Sequence, residues 1–201
     1  MLTKIKPLLN QYMFFLIKAL AQIGVTPNLL TISSLLLASL LFVATFILGG
    51  STPPILVASL FGVSGLFDFL DGGLARYTGK TSKVGAFLDS TVDRINEALF
   101  IASFAYCGMI SFQEAYLIIV GSLLVSYTRA RAEGLKHNVK LEGVGLMERA
   151  ERLVILFIIY ILYVSGFALL SKIVFYLLVV AVYLTVVHRI MAIITFFGKK
   201  H

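Results

Sequence analysis

The sequence predicts an all-α integral membrane protein, with six transmembrane helices preceded by an interfacial amphipathic helix. Three observations carry this. Apolar residues make up 59% of the 201 and charged residues only 13%, against about 45–50% and roughly 25% in a soluble domain. The apolar residues fall into runs near the 20 or so needed to cross a bilayer, separated by Gly and Pro. Sixteen of the 17 Lys and Arg fall on one side of the resulting topology, with Lys172 alone opposite. Disorder is excluded by the hydrophobicity. Six spans leave no room for a second, soluble domain, so residues 1–201 are expected to form a single membrane domain.

Residues 1–25 alternate Lys4, Lys6 and Lys18 with Leu, Phe and Met. Ala19-Leu20-Ala21 has the look of a signal cleavage site, but Lys18 interrupts the apolar stretch before it. An amphipathic helix lying in the membrane interface is the better reading. Thr26-Pro27-Asn28 then starts a new element. The expected spans are 29–49, 54–76, 84–109, 112–136, 145–167 and 170–197, together a six-helix bundle over 29–197. They are punctuated by Gly49-Gly50, Pro53-Pro54, Gly79, Gly108, the 138–145 segment and Gly166. Short connections make successive spans antiparallel neighbours. The basic residues cluster before span 1, around the 2–3 and 4–5 connections and at the end of span 6. The positive-inside rule puts those connections and both termini in the cytoplasm of a multi-pass cell-membrane protein.

The net charge of +7 favours anionic headgroups or phosphate substrates as partners. No basic tract is dense enough to track a nucleic acid backbone, so nucleic acid is not an expected partner. Cys107 is the single cysteine, which rules out an internal disulfide, and it reads as core packing.

Ionisable groups inside spans are costly and usually functional. Asp68 and Asp71 lie at the cytoplasmic end of span 2, and Asp89 and Asp93 near the cytoplasmic start of span 3. Spacings of three and four put each pair on one helix face, and the short turn lets the two faces meet. Four converging carboxylates repel one another unless cations sit between them. Hard divalent cations such as Mg²⁺ or Mn²⁺ prefer such oxygen ligands, and a carboxylate-bridged metal pair serves displacement at phosphorus. Gly72 and Gly73 allow close backbone approach, and Arg76 can fork onto phosphate oxygens. The bland alternative is interface salt bridges from these Asp to Arg76, Arg94 and nearby Lys. Four carboxylates on two adjacent faces, with Gly-Gly among them, speak against it.

The run Asp68-x2-Asp71-Gly72-x2-Ala75-Arg76-x8-Gly85-x3-Asp89-x3-Asp93 resembles the complete signature of the CDP-alcohol phosphotransferase family. Every fixed position of its 26 residues is filled, and the six-span layout extends the likeness over nearly the whole chain. The resemblance implies an enzyme that transfers a phosphatidyl-type group from a CDP-linked lipid to an alcohol hydroxyl, releasing CMP. It implies a two-metal centre on Asp68, Asp71, Asp89 and Asp93, with Asp93 also the catalytic base. It implies CDP-lipid contacts from Gly72 and Arg76 at the pyrophosphate and from Gly85. Thr31, Ile32, Ser33, Ser34 and Ser82 join them by position in the family's nucleotide region. A homodimer is expected by the same resemblance, with membrane lipids as further partners.

A second basic cluster bears on the acceptor. Span 4 ends in Ser126-Tyr127-Thr128-Arg129-Ala130-Arg131-Ala132-Glu133, span 5 opens with Glu148-Arg149-Ala150-Glu151-Arg152-Leu153, and Arg189 lies on span 6. Arginines there suit a phosphorylated acceptor. The local alternative is Glu148–Arg152 and Arg149–Glu133 salt bridges of little consequence. These blocks resemble the phosphatidylinositol-phosphate synthase branch of the family and its archaeal counterpart. That resemblance implies that Arg129, Arg149 and Arg189 bind the phosphate of inositol 1-phosphate. Arg129 stands where Lys is common, which keeps the charge and changes the donor geometry. Glycerol 3-phosphate is the alternative acceptor.

Two other function classes compete. A cation transporter would hold its site near the bilayer midplane, whereas these carboxylates cluster at one face and the outer half holds only Glu114 and Lys172. A non-catalytic membrane protein would have no need for four intact aspartates. Glu97, one turn from Asp93, is read either as orienting a metal ligand or as a partner of Arg94 or Arg189.

Overall fold

A computed structural model of the chain describes residues 13–135 and 145–198. The first half of the expected interfacial segment lies outside the described residues, as do Lys136, Lys140, Lys199, Lys200 and most of the 138–145 connection. Among the described residues all regular structure is helical: α1 (Met13–Gln22), α2 (Pro27–Leu48), a 3₁₀ turn (Gly49–Ser51), α3 (Pro54–Thr78), α4 (Lys83–Tyr106), α5 (Phe112–Leu135), α6 (Arg149–Val164) and α7 (Ala168–Gly198). The expected spans correspond to α2–α7. Three helices are long and apolar enough to cross a membrane, over Pro27–Ser51, Pro54–Thr78 and Ala168–Phe196. The 16 residues of α6 reach about 24 Å at 1.5 Å per residue, short of a hydrocarbon core of ≈ 30 Å. α4 carries the charged residues Asp89, Asp93, Arg94 and Glu97 within its length.

The boundaries follow local chemistry. Thr26 caps α2, its Oγ1 accepting from Leu29 N–H at 3.3 Å, and Pro27 supplies the preset φ of the first helical position. Gly79, at φ +67°, closes α3 in the left-handed region. Ser82 caps α4, its Oγ accepting from Gly85 N–H at 2.9 Å. The helix over the expected third span ends earlier, at Tyr106, and the one over the expected fifth starts later, at Arg149. In the latter case the residues from Gly145 are drawn away from helical geometry, Gly145 itself having φ +107°.

The described residues form two compact units, one ending at Ser111 and the other starting at Phe112. In the first, α2 buries Leu30, Thr31, Ser34, Ala38, Leu41 and Thr45, a single stripe at spacings of three and four. It packs on α3 and α4. Ser34, Ala38, Ser64 and Ser103 are fully buried, and such small side chains let helix backbones approach closely where lipid gives little drive to associate. Phe61 fills the far end of this core, its ring 4.3 Å from that of Phe100. The described length of α1, Met13–Gln22, is too short to cross a bilayer. The helix docks Ile17 against Leu30, Leu70 and Leu74. A Cβ at Gly73 would stand 2.8 Å from Ile17 Cδ1. This corrects one expectation: Gly73 gives close approach to α1, not to a phosphate.

In the second unit, α7 packs against both α5 and α6. Gly121 of α5 admits Val182 and Tyr183 of α7. Ser171 Oγ donates to Ile159 O at 2.9 Å, tying α7 to α6. Glu114 and Lys172 pair with each other at 2.7 Å, and Tyr176 Oη donates to the same carboxylate.

Candidate active site

The aspartates sit on α3 and α4, about two to three turns from the Gly79–Ser82 connection. Asp68, Asp89 and Asp93 each offer a carboxylate oxygen, and these oxygens all lie within 4.8 Å of one another. All three side chains are half-buried. Anions that close repel strongly in a low-dielectric setting. A partly exposed, all-oxygen donor set is the chemistry a hard divalent cation selects, so the residues present fit the metal the sequence implies.

Asp71 sits apart from that trio. It is buried, and its Oδ2 accepts from Thr31 Oγ1 at 2.6 Å. The charges of Asp68 and Asp89 bear on it. Thr31 belongs to a buried polar chain across α2, α3 and α4. Ser34 Oγ donates to Thr31 O at 2.8 Å, Asn96 Nδ2 to Ser34 Oγ at 3.0 Å, and Ser64 Oγ to Ser34 O at 2.8 Å. Ser34 has no exposed surface, so it braces Thr31 and the helix contacts, which is a different task from the ligand contact expected of it. Asn96 and Ser64 were not singled out in the sequence. A polar residue one turn beyond Asp93 was the available signal for Asn96.

Thr31→Val is expected to keep the fold and weaken the cation site, because it strips a buried carboxylate of its donor. Loss of such a supporting bond costs about 10–100-fold in metal affinity. A Mn²⁺ titration of activity checks this, and an unchanged half-saturating concentration would separate Thr31 from the metal site.

Arg94 Nη1 lies 3.9 Å from Asp93 Oδ2, at the outer limit of an ion pair, and also donates to Ser90 O. Glu97 is buried on α4.

The expected nucleotide residues gather at the starts of α2 and α4. A Cβ on Gly85 would stand 3.0 Å from Ser82 Oγ and 3.3 Å from Asn28 Oδ1. The two helix N-termini therefore meet there without room for a side chain. Asn28 is a further residue the sequence reading passed over, although the Thr-Pro-Asn start of the helix marked the place. Ile32 is exposed and Ser33 half-buried. Arg76 is exposed in the last turn of α3, and Gly72 leaves room for its guanidinium, whose Nη1 would lie 3.4 Å from a Cβ at that position.

The arginines occupy the second unit. Arg189 is only 2% exposed; its Nη1 donates to Val125 O at 2.6 Å and its Nη2 lies 3.5 Å from Glu148 Oε1. Arg129 pairs with Glu133 one turn along α5, at 2.9 Å. Arg152, 1% exposed, donates to Met147 O at 3.0 Å. Arg149 is half-buried at the first residue of α6. The charges of Arg129 and Arg152 both bear on Arg189, so three basic side chains share one neighbourhood. Two ion pairs here lie outside the sequence expectation: Glu133 with Arg129 and Glu148 with Arg189.

An archaetidylinositol phosphate synthase of Pyrococcus horikoshii is 42% identical over 158 residues, covering 79% of this chain and 81% of that protein. The fold matches Mycobacterium tuberculosis phosphatidylinositol phosphate synthase solved with CDP-DAG bound, at TM-score 0.72 and 27% identity, over 90% of this chain and 92% of that one. The same enzyme solved with manganese and citrate matches at TM-score 0.70 and 28% identity, over 89% and 87%. The family model described as CDP-alcohol phosphatidyltransferase matches residues 24–197, a stretch that takes in both units, all four aspartates and all three arginines, and the chain belongs to that family.

Proposed function

We propose that this chain transfers the phosphatidyl-type group of a CDP-linked lipid, CDP-diacylglycerol or CDP-archaeol, to a hydroxyl of inositol 1-phosphate and releases CMP, a step of phospholipid biosynthesis. The observation that carries the reading is the Asp68–Asp89–Asp93 carboxylate trio within a filled family signature. The acceptor rests on Arg129, Arg149 and Arg189, the basic residues expected at its phosphate, and on the 42% identity to an archaetidylinositol phosphate synthase.

In this reading Asp68, Asp71, Asp89 and Asp93 hold Mg²⁺ or Mn²⁺ in a two-metal centre. Bound there, the cations neutralise the pyrophosphate and stabilise the leaving CMP. Arg76, given room by Gly72, grips pyrophosphate oxygens. The adjoining helix starts at Asn28, Ser82 and Gly85 favour negative charge through the positive end of the helix macrodipole, with Thr31, Ile32 and Ser33 in the same nucleotide region. Asp93 takes the proton of the acceptor hydroxyl. That oxygen bonds to the lipid-side phosphorus as the bond from phosphorus to the bridging oxygen of CMP breaks.

In this reading Arg149, the first residue of α6, binds the acceptor phosphate, while Glu148 and Glu151 beside it offset its charge at the positive end of the helix macrodipole. Arg149→Ala is therefore expected to raise the acceptor KM by about 10–100-fold, the loss of a charge-assisted hydrogen bond, with little change in the donor KM. An unchanged acceptor KM would reduce Arg149 to a topological charge.

The reading carries a six-span arrangement with both termini and the site on the cytoplasmic side, from the one-sided basic residues. The two units work as a single domain, and the enzyme acts as a homodimer. CMP release by the purified chain tests the function, comparing inositol 1-phosphate, glycerol 3-phosphate, free inositol and serine. Release with inositol 1-phosphate alone is the expected result. Release with glycerol 3-phosphate instead would keep the metal site and overturn the acceptor.

A further inference from the structure

Arg149 opens α6, so its direction is set by the few residues before it. Those residues are held by α7. Thr185 is buried, and its hydroxyl has three partners. It accepts from the backbone N–H groups of Leu146 and Met147, both at 3.1 Å, and donates to Ala181 O at 2.8 Å. One turn further along α7, Arg189 reaches Glu148. From within α6, Arg152 closes on Met147 O. Gly145 lies directly on the Thr185 side chain, where a Cβ would collide with Thr185 Cγ2.

These contacts go beyond what starting a helix requires. Glu148 occupies the cap position of α6 but makes no side-chain cap bond; its carboxylate is directed to Arg189 instead. The N–H groups of Leu146 and Met147 precede the helix, and a single hydroxyl meets both. Thr185 and Arg189, stacked one turn apart on one helix, thus hold the middle and the end of the 145–148 segment. The rotation of that segment decides where the Arg149 guanidinium points.

We propose that Thr185 is a positioning residue for the acceptor: its hydroxyl fixes the 145–148 segment and so aims Arg149, and the Glu148–Arg189 pair, at the acceptor phosphate. The inference rests on the acceptor reading above and deepens it. The nearest competing role is simple packing of α7, which shape alone would satisfy.

Thr185→Val keeps the shape and removes the oxygen, whereas Thr185→Ser keeps the oxygen. Both are made in the full chain and assayed in detergent for CMP release with CDP-lipid, Mn²⁺ and inositol 1-phosphate. Thr185→Val is expected to raise the acceptor KM about tenfold, the loss of one hydrogen-bond acceptor for two N–H groups, with the donor KM and half-saturating Mn²⁺ within about twofold. Thr185→Ser is expected to restore the acceptor KM. An unchanged acceptor KM in Thr185→Val, a parallel rise of both KM values, or equal damage in Thr185→Ser would overturn the proposal. Should Thr185→Val not fold, Thr185→Ala takes its place under the same criteria, with calorimetric binding of inositol 1-phosphate as a readout independent of turnover. Should the wild type use only glycerol 3-phosphate, the acceptor reading fails by itself, and the same variants are judged on the KM of that acceptor.

Discussion

Asp93→Asn is expected to lower kcat by about 10³-fold or more, the scale of a positioned general base together with a lost metal ligand, while binding of CDP-lipid is retained. The amide keeps the size of the carboxylate and cannot take a proton. Because Asp93 belongs to the trio within 4.8 Å, the substitution also removes one negative charge from the cation site. The two roles separate in a Mn²⁺ titration. A defect that persists at saturating Mn²⁺ marks the lost base; one that disappears marks a lost ligand only. Normal turnover would remove Asp93 from the reaction.

Stripping the divalent cation has an effect of similar size. Chelation is expected to bring CMP release to background, and Mg²⁺ or Mn²⁺ to restore it. The same experiment has a structural readout. Without a cation the trio of carboxylates on α3 and α4 repels, so the cation stabilises the folded state as well as the reaction. At a hundredfold excess over Kd a folded-state ligand contributes about 2.7 kcal/mol, which for a chain of this size raises Tm by several degrees. Full activity after exhaustive chelation, with an unmoved Tm, would contradict a metal-bound site.

Much of the fold was legible because its boundaries are written in residues with a single local meaning. Pro27 and Pro54 start helices, and Gly79 and Gly166 end them at positive φ. The aspartate cluster was legible for a similar reason: spacings of three and four place side chains on one face whatever lies around them. What escaped depends on which helix lies against which. Gly73 has the look of a phosphate-approach glycine beside Gly72, yet it receives Ile17 of α1. Glu148 stands at the cap position of α6, and its carboxylate lies 3.5 Å from Arg189 of α7, a contact that spacing within one helix does not report. The Thr31–Ser34–Asn96 chain joins residues up to 62 apart in sequence. No periodicity in any one helix reports such a junction, since Ser and Thr in apolar helices serve equally well as spacers. Thr185 was hidden in the same way within an apolar run.

The central claim is that a phosphorylated polyol, not water or a free alcohol, receives the lipid phosphoryl group. Its most direct measurement is the transfer of label from inositol 1-phosphate into the lipid fraction by purified protein with CDP-lipid and Mn²⁺, with CMP measured in the same tube. The account predicts labelled lipid and CMP in equal amounts, both lost in Asp93→Asn. CMP release with no label in lipid, for both diacyl and archaeol donors, would contradict it.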